Sequence, residues 1–218
     1  MIPPVLTAPG GVTLVGGGAV GPDDLAEALA LAPTLAAADS GADAALAAGH
    51  VPAAVVGDLD SISAAARAAI PAARIHHIAE QDSTDFQKCL RRIAAPFVIA
   101  VGFAGRRLDH TLAALTVLAQ EDTRPVVMIG PEDIAFRAPP RLVLPVAAGT
   151  RLSLWPLGPA RGTSRGLRWP IDGIDFAPGG RVGTSNEATG PVDLTLAGPM
   201  LVLLPRACLP LAVAALAG

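Results

Sequence analysis

From about Val12 to Ile129, short apolar runs alternate with stretches of helical period, and this rhythm limits the fold more than any other feature. Val12–Val15, Thr34–Ala38, Ala53–Val56, Arg74–Ile78, Pro96–Val101 and Pro125–Ile129 read as strands. Between them lie helices at Pro22–Leu31, Ala42–Ala48, Ile62–Ile70, Thr84–Ile93 and Asp109–Gln120. Strands and helices in alternation predict an α/β fold, a mainly parallel sheet with flanking helices. After about Arg141 the rhythm changes. Leu142–Leu144, Arg151–Leu154, Val192–Leu196 and Met200–Leu204 are short apolar pieces separated by Gly, Pro and Asp. They predict a small antiparallel β-sandwich domain. The expected division is therefore 1–139 and 140–218, consistent with 218 residues at roughly 100–200 per domain.

Aromatic residues make up 3% of the chain and tyrosine is absent, so the core must rest on Ala, Val, Leu and Ile. The net charge of −3 argues against general nucleic-acid binding, which needs a basic field and stacking aromatics. An anionic ligand would need a metal ion and local cations. Cys89 and Cys208 form no C-x-x-C pair, so they read as free thiols in a reducing cytosol rather than as a zinc site or disulfide framework. No basic residue precedes Val12, which excludes a secretory signal. Pro205, Arg206 and Pro210 interrupt the apolar tail from Pro199 to Gly218, which reads as a strand and a short apolar segment, not a membrane helix. A soluble, cytoplasmic protein is expected.

Two segments carry the chemistry. Val55 and Val56 lead into Gly57-Asp58-Leu59-Asp60-Ser61-Ile62, which places Asp58 and Asp60 where a strand ends. Ligands of parallel sheets bind at that end. Carboxylates converging there, with cations nearby, suit Mg²⁺ carrying a polyphosphate. The simpler reading is that Asp60 or Ser61 caps the helix opened by Ile62. The second segment is Gln81-Asp82-Ser83-Thr84-Asp85-Phe86-Gln87-Lys88-Cys89-Leu90. At ~100° per residue, Phe86, Cys89, Leu90 and Ile93 form an apolar stripe, and Asp85, Lys88 and Arg92 form another. As a solvated pair, Asp85 and Lys88 would contribute only ~0.3–0.5 kcal/mol. Asp82, Ser83 and Thr84 gather at the helix start, where backbone N–H groups suit phosphate and a cation would reconcile phosphate with the carboxylates.

These two segments resemble the G-D-x-D-S-I loop and the Q-D-x-T-D-F-x-K-C-L helix start of the thiamine pyrophosphokinase (thiamine diphosphokinase) family. Gly102-Phe103-Ala104-Gly105-Arg106-Arg107-Leu108-Asp109-His110 resembles its glycine-rich loop running into R-x-D-H, and Thr184-Ser185-Asn186 its T-S-N segment. The resemblance implies a nucleotide- and Mg-binding catalytic α/β domain followed by a thiamine-binding β-sandwich. Pyrophosphate would pass from ATP to the thiamine hydroxyl in a homodimer whose sites are shared between subunits. By motif position, Asp58, Asp60 and Asp85 would hold Mg²⁺, with Asp82 and Lys88 completing the catalytic set. Asp39, Ser83, Thr84, Lys88, Arg107 and Asp109 would contact ATP, and Ser185 and Asn186 the thiamine pyrimidine. The chain departs from the family pattern in Ala38-Asp39-Ser40-Gly41-Ala42-Asp43, where serine replaces a glycine and Asp43 an asparagine. Arg106 stands where glycine is usual, and Gly183 where serine is.

Other readings stay open. Gly16-Gly17-Gly18-Ala19-Val20-Gly21 fits G-x-G-x-x-G after a strand, with Asp39 about twenty residues on, as in dinucleotide-binding oxidoreductases. A phosphatase with Asp58 as nucleophile lacks the residues expected after its D-x-D. A non-catalytic nucleotide- or thiamine-binding protein would accommodate the altered 38–43 loop. His76, His77, Trp155 and Trp169 read as loop or packing residues, with stacking on a thiazolium the alternative for Trp169. Asp109 reads equally as a helix cap.

Overall fold

In the computed structural model, residues 3–218 are described and the chain divides into two compact units. One holds residues up to 117 with 128–131, the other 118–127 with 132–218. Met1 and Ile2, which begin the expected 1–139 domain, lie outside the described residues.

The first unit is built on parallel strands. Its elements are β1 (Leu6–Thr7), β2 (Val12–Val15), α1 (Asp24–Leu31), β3 (Thr34–Ala38), α2 (Gly41–Ala47), β4 (Ala54–Gly57) and α3 (Ala64–Ala69). Then come β5 (Ile75–His77), α4 (Asp85–Arg92), β6 (Ile93–Ala94) and β7 (Val98–Val101), with α5 (Leu108–Gln120) and β8 (Val126–Ile129) running to the boundary. β4 pairs in parallel with β3 (Val55 opposite Ala37) and with β5 (Val56 opposite His76). β2 pairs in parallel with β7, Leu14 opposite Ala100. Every residue of β2, β4 and β7 is buried, as in strands covered on both faces. The hydroxyl of buried Thr13 donates to the Ala32 carbonyl at 2.7 Å, so that polar group is not orphaned.

Helix starts are set locally. Ser63 caps α3, accepting from the Ala66 N–H at 3.0 Å, so neither Asp60 nor Ser61 is the cap. Thr84 caps α4 in a capping box with Gln87. The apolar stripe of α4 is buried through Phe86, Cys89 and Leu90, and the helix lies on β3 and β4. Lys88, on the polar stripe, is buried as well, so its pair with Asp85 is not a solvated one.

The second unit contains β9 (Asp133–Arg137), β10 (Arg141–Leu144), β11 (Arg151–Pro156), β12 (Arg161–Leu167), β13 (Gly183–Ala197), β14 (Met200–Pro205) and α6 (Leu209–Ala217). Its strands are antiparallel. β13 runs 15 residues and serves two layers. Its first part pairs with β11 (Asn186 opposite Leu152), which continues through β14 to β9. Its later part lies between β10 and β12, with Leu194 opposite both Leu142 and Ser164. Where β12 bulges, Gly166 has φ +77°, and a Cβ there would fall 2.0 Å from the Pro191 carbonyl oxygen. The fold is thus a mainly parallel α/β sheet with flanking helices, followed by an antiparallel β-sandwich.

The tail is a strand and a short apolar segment as expected, the segment being the helix α6. Two local expectations change. Val192–Leu196 is one part of a much longer strand. Trp169 is 53% exposed and Trp155 37%, so neither is enclosed packing. No helix of the described residues is long and apolar enough to cross a membrane.

Candidate active site

A cleft of about 610 Å³ opens at the carboxyl ends of β2, β3, β4 and β7. Its wall includes Gly16–Gly18 after β2, Asp39 after β3, Asp58 after β4 and residues 102–107 after β7. Ser83, Thr84, Asp85 and Lys88 reach it from the start of α4. Chain segments flaring apart beyond strand ends create such a crevice. All of these residues belong to the first unit.

Carboxylate oxygens of Asp39, Asp58 and Asp60 lie within 4.8 Å of one another. Two backbone turns make this possible. Asp39 has φ +45° and Leu59 φ +61°, left-handed conformations that side-chain-bearing residues rarely adopt. Leu59 is held there by its buried side chain and by Arg67, which donates to its carbonyl at 2.9 Å. Asp39 is 3% exposed; its Oδ2 accepts from the Ser61 N–H and Oγ–H, and its buried Oδ1 has no protein partner. The charge of Asp58, and after it the closeness of the Asp39 carboxylate, holds the Asp60 carboxyl above its ordinary pKa. A buried acceptor without a donor, beside two more carboxylates, fits an oxygen-ligated divalent cation.

Lys88 bridges the cluster to α4. Its amino group lies 3.2 Å from Asp58 and 3.0 Å from Asp85. Burial disfavours its charge, yet the hydrogen bonds to Asp85 and Asp58 outweigh burial and raise its pKa. Burial pushes the Asp58 pKa up, but hydrogen bonds from Gln81 (3.1 Å) and Lys88 bring it below the usual value. Asp58 and Asp60 thus gather with Asp39, whereas Asp85 faces Lys88. Asp82 is exposed, and its N–H donates to Glu80 at 2.8 Å. Glu80 also accepts from the Ser83 N–H and hydroxyl and so shapes the loop before α4. Sequence reasoning passed over Glu80; the available signal was an acid three residues before Ser83, where a carboxylate can reach the loop's N–H groups.

Phe103, in the loop after β7, stacks on Phe86 of α4 with ring centroids 4.2 Å apart. Arg106, Arg107 and His110 also line the cleft. Arg107 grips Asp109 with two donors, at 3.1 and 2.5 Å, and that grip draws the Asp109 pKa down to about 2. Asp109 sits inside the first turn of α5, with its own carboxylate accepting from the His110 N–H. Arg106 has no such carboxylate partner among the described residues. The glycines after β2 allow close approach: a Cβ on Gly17 would fall 2.1 Å from the Ser40 hydroxyl oxygen, and one on Gly18 2.4 Å from the Gly102 carbonyl oxygen. Their spacing follows from the packing of three loops, and Asp39 is engaged with Ser61 and the carboxylate cluster. The structure gives the dinucleotide reading no separate support.

In the second unit, Ser185 is exposed at φ +58°, and its N–H donates to Ser153 Oγ at 3.0 Å. The buried Asn186 amide is bonded internally. Its Nδ2 donates to the Trp169 carbonyl at 2.7 Å, and its Oδ1 accepts from the N–H groups of Trp169 and Glu187. Arg168 lies over the Trp169 ring, 5.0 Å from its centroid.

Fold and cleft define a class: a parallel α/β unit with a carboxylate cluster at its strand ends, followed by an antiparallel β unit. The chain matches the family model for the thiamin pyrophosphokinase catalytic domain over residues 25–129, and that for the thiamin pyrophosphokinase vitamin B1 binding domain over residues 141–201. It belongs to the thiamin pyrophosphokinase family. Thiamine pyrophosphokinase 1 of Oryza sativa subsp. japonica is 26% identical over 156 residues, 63% of this chain. That match spans 59% of the rice protein's own length. The thiamin pyrophosphokinase from Candida albicans has the same fold, with a TM-score of 0.77, 16% identity and 94% of each chain covered. The Bacillus subtilis thiamine pyrophosphokinase superposes with a TM-score of 0.72 at 22% identity, covering 89% of this chain and 98% of the other.

Proposed function

We propose that the protein transfers pyrophosphate from ATP to the hydroxyl of thiamine, giving thiamine diphosphate and AMP, with Mg²⁺ as its metal. The unpartnered Asp39 oxygen beside Asp58 and Asp60, in a cleft also lined by Lys88 and Arg106, carries this reading. Asp39, Asp58 and Asp60 would hold the cation, and Asp85 would contribute through Lys88. Bound there, Mg²⁺ would supply charge neutralisation for the polyphosphate.

The chain's own residues position and neutralise. Lys88, fixed between two carboxylates, presents a buried positive charge at the cleft wall. Arg106 brings a guanidinium whose planar fork matches phosphate oxygens. The N–H groups of Ser83 and Thr84 and the Ser83 hydroxyl are already held by Glu80 and Gln87, so a phosphate contact from that loop would fall to the Thr84 hydroxyl, which accepts from Gln87 and keeps its proton. In the reaction, the thiamine hydroxyl oxygen bonds to the β-phosphorus and the bond from that phosphorus to the α–β bridging oxygen breaks. AMP leaves with that oxygen, and the hydroxyl loses its proton. Asp58, Asp60 and Asp82 are the carboxylates available to accept it. There is little covalent chemistry for the protein to perform, so preorganised charge carries the rate.

Ser185 and the Asn186–Trp169 pair in the second unit would bind thiamine, Ser185 through its exposed hydroxyl and Asn186 by fixing Trp169. We infer a homodimer in which the two units contributing to one site come from different subunits. Two free cysteines fit a reducing cytoplasm. Incubation with ATP, Mg²⁺ and thiamine, followed by phosphorus NMR, tests the reaction. AMP and thiamine diphosphate are expected. ADP with thiamine monophosphate as first products would reject attack at the β-phosphorus.

A further inference from the structure

We propose that Asp43 is a positioning residue for the cation site, holding the loop that carries Asp58 and Asp60 by clasping Ser63; this rests on the cation reading above. Asp43 lies in the first turn of α2, four residues after Asp39. Both of its carboxylate oxygens accept from one residue: Oδ2 from the Ser63 N–H at 3.1 Å, Oδ1 from the Ser63 hydroxyl. Asp39 holds Ser61 through one oxygen, its Oδ2 accepting from the Ser61 N–H at 3.2 Å and the hydroxyl at 2.7 Å. Two carboxylates four residues apart, Asp39 just after β3 and Asp43 in the first turn of α2, thus hold two serines two residues apart on the β4–α3 loop.

The loop needs such a hold. Asp58 and Asp60 converge only because Leu59 between them is left-handed, and a bulky residue keeps that conformation only where its surroundings impose it. Asp39 alone would have to be both latch and ligand. With Asp43 fixing the far end of the loop, Asp39 needs only Oδ2 for Ser61, and its Oδ1 stays unpartnered beside Asp58 and Asp60. Ser63 closes the loop on its other side as well, since its Oγ accepts from Ala66 and caps α3. The replacement of asparagine by Asp43 acquires a reason here. A carboxylate meets the two Ser63 donors with a separate oxygen each, whereas an amide would have to take both on its one oxygen and would set its NH2 group against a donor.

The test is Mn²⁺ binding to the full chain without nucleotide, followed by electron paramagnetic resonance, with folding checked by thermal melting. Wild type should bind Mn²⁺, and Asp43→Ala should weaken binding about tenfold, the usual effect of losing a partner behind the metal ligands. Asp43→Asn should fall between the two. Ser63→Ala should weaken binding similarly, and adding it to Asp43→Ala should bring little further loss, because the two residues form one contact. If the alanine variant does not fold, the near-isosteric Asp43→Asn must show the weakening by itself. A folded Asp43 variant with wild-type Mn²⁺ affinity, even one with a lowered Tm, overturns the proposal. If wild type binds no Mn²⁺, the cation reading itself fails and the positioning role falls with it, an outcome distinct from selective failure at Asp43.

Discussion

Arg106 and Arg107 are neighbours on the same cleft wall, yet only one is committed to a partner. Arg107 directs two donors at Asp109, and both side chains remain largely exposed. A phosphate recruiting Arg107 would first have to displace that carboxylate, whereas Arg106 can turn to phosphate without breaking an ion pair. A hydrogen bond to a charged group contributes ~1.5–3 kcal/mol, and 1.4 kcal/mol is tenfold in affinity. Arg106→Ala should therefore raise the ATP concentration for half-maximal rate about tenfold, with Arg107→Ala having the smaller effect. Steady-state kinetics at saturating thiamine decides it, and inhibition by free pyrophosphate should weaken in parallel. A larger effect at Arg107 would reverse the assignment. Left-handed backbone adds a second signal at this scale. Among the described residues the non-glycine positions with positive φ are Asp39, Leu59 and Ser185, and each falls in a candidate site segment. Strain of ~1–3 kcal/mol per residue persists where the surroundings impose it, which is commonly at binding sites.

At the level of elements, the cleft depends on how closely the loops after β2, β3 and β7 approach one another. Gly41, at the start of α2, sits under the end of β2: a Cβ there would lie 2.1 Å from the Val15 carbonyl oxygen. Backbone cannot yield as a flexible side chain does. Gly41→Ala should cost ~1–3 kcal/mol by overpacking, lowering Tm by roughly 3–10 °C. It should also weaken ATP binding, because α2 carries Asp43 and follows Asp39. Thermal unfolding with and without ATP measures both effects, and an unchanged Tm would show that the loops can separate without loss. Much of this unit was legible in the sequence. Buried strands such as Val98–Val101 are continuous apolar runs, and α4 shows its cap and its stripes within ten residues. The cluster was legible only in part. Asp58 and Asp60 stood at a strand end, but the turn of Leu59 and the inward carboxylate of Asp39 depend on Ser61, twenty-two positions from Asp39. In the second unit, β12 escaped notice because Arg161–Leu167 is mostly Gly, Thr, Ser and Arg, with only Leu167 buried. β13 read as a short strand because Gly190 and Pro191 interrupt its pattern where it passes from one layer to the other.

For the whole molecule, the proposed phosphate determinants lie in one unit and the proposed thiamine determinants in the other. Asp60 belongs to the carboxylate cluster, so Asp60→Asn should reduce turnover at least roughly 100-fold, comparable to losing one preorganised electrostatic contact. Asn186 acts differently. Its amide fixes Trp169 through both backbone groups, so Asn186→Ala leaves part-buried peptide groups without their partner at a cost of ~1–3 kcal/mol. The thiamine requirement should rise about 5–150-fold on that basis, while the ATP requirement changes little. These two variants test the assembly. If each site joins the first unit of one subunit to the second unit of its partner, a mixed dimer contains one site with both defects and one with neither. Activity at low thiamine should then return when the two proteins are mixed, approaching half the wild-type rate per mixed dimer. Native mass spectrometry on subunits of different isotopic mass establishes that exchange has occurred. If mixed dimers form and the rate stays at the sum of the two variants, each site is built within a single subunit.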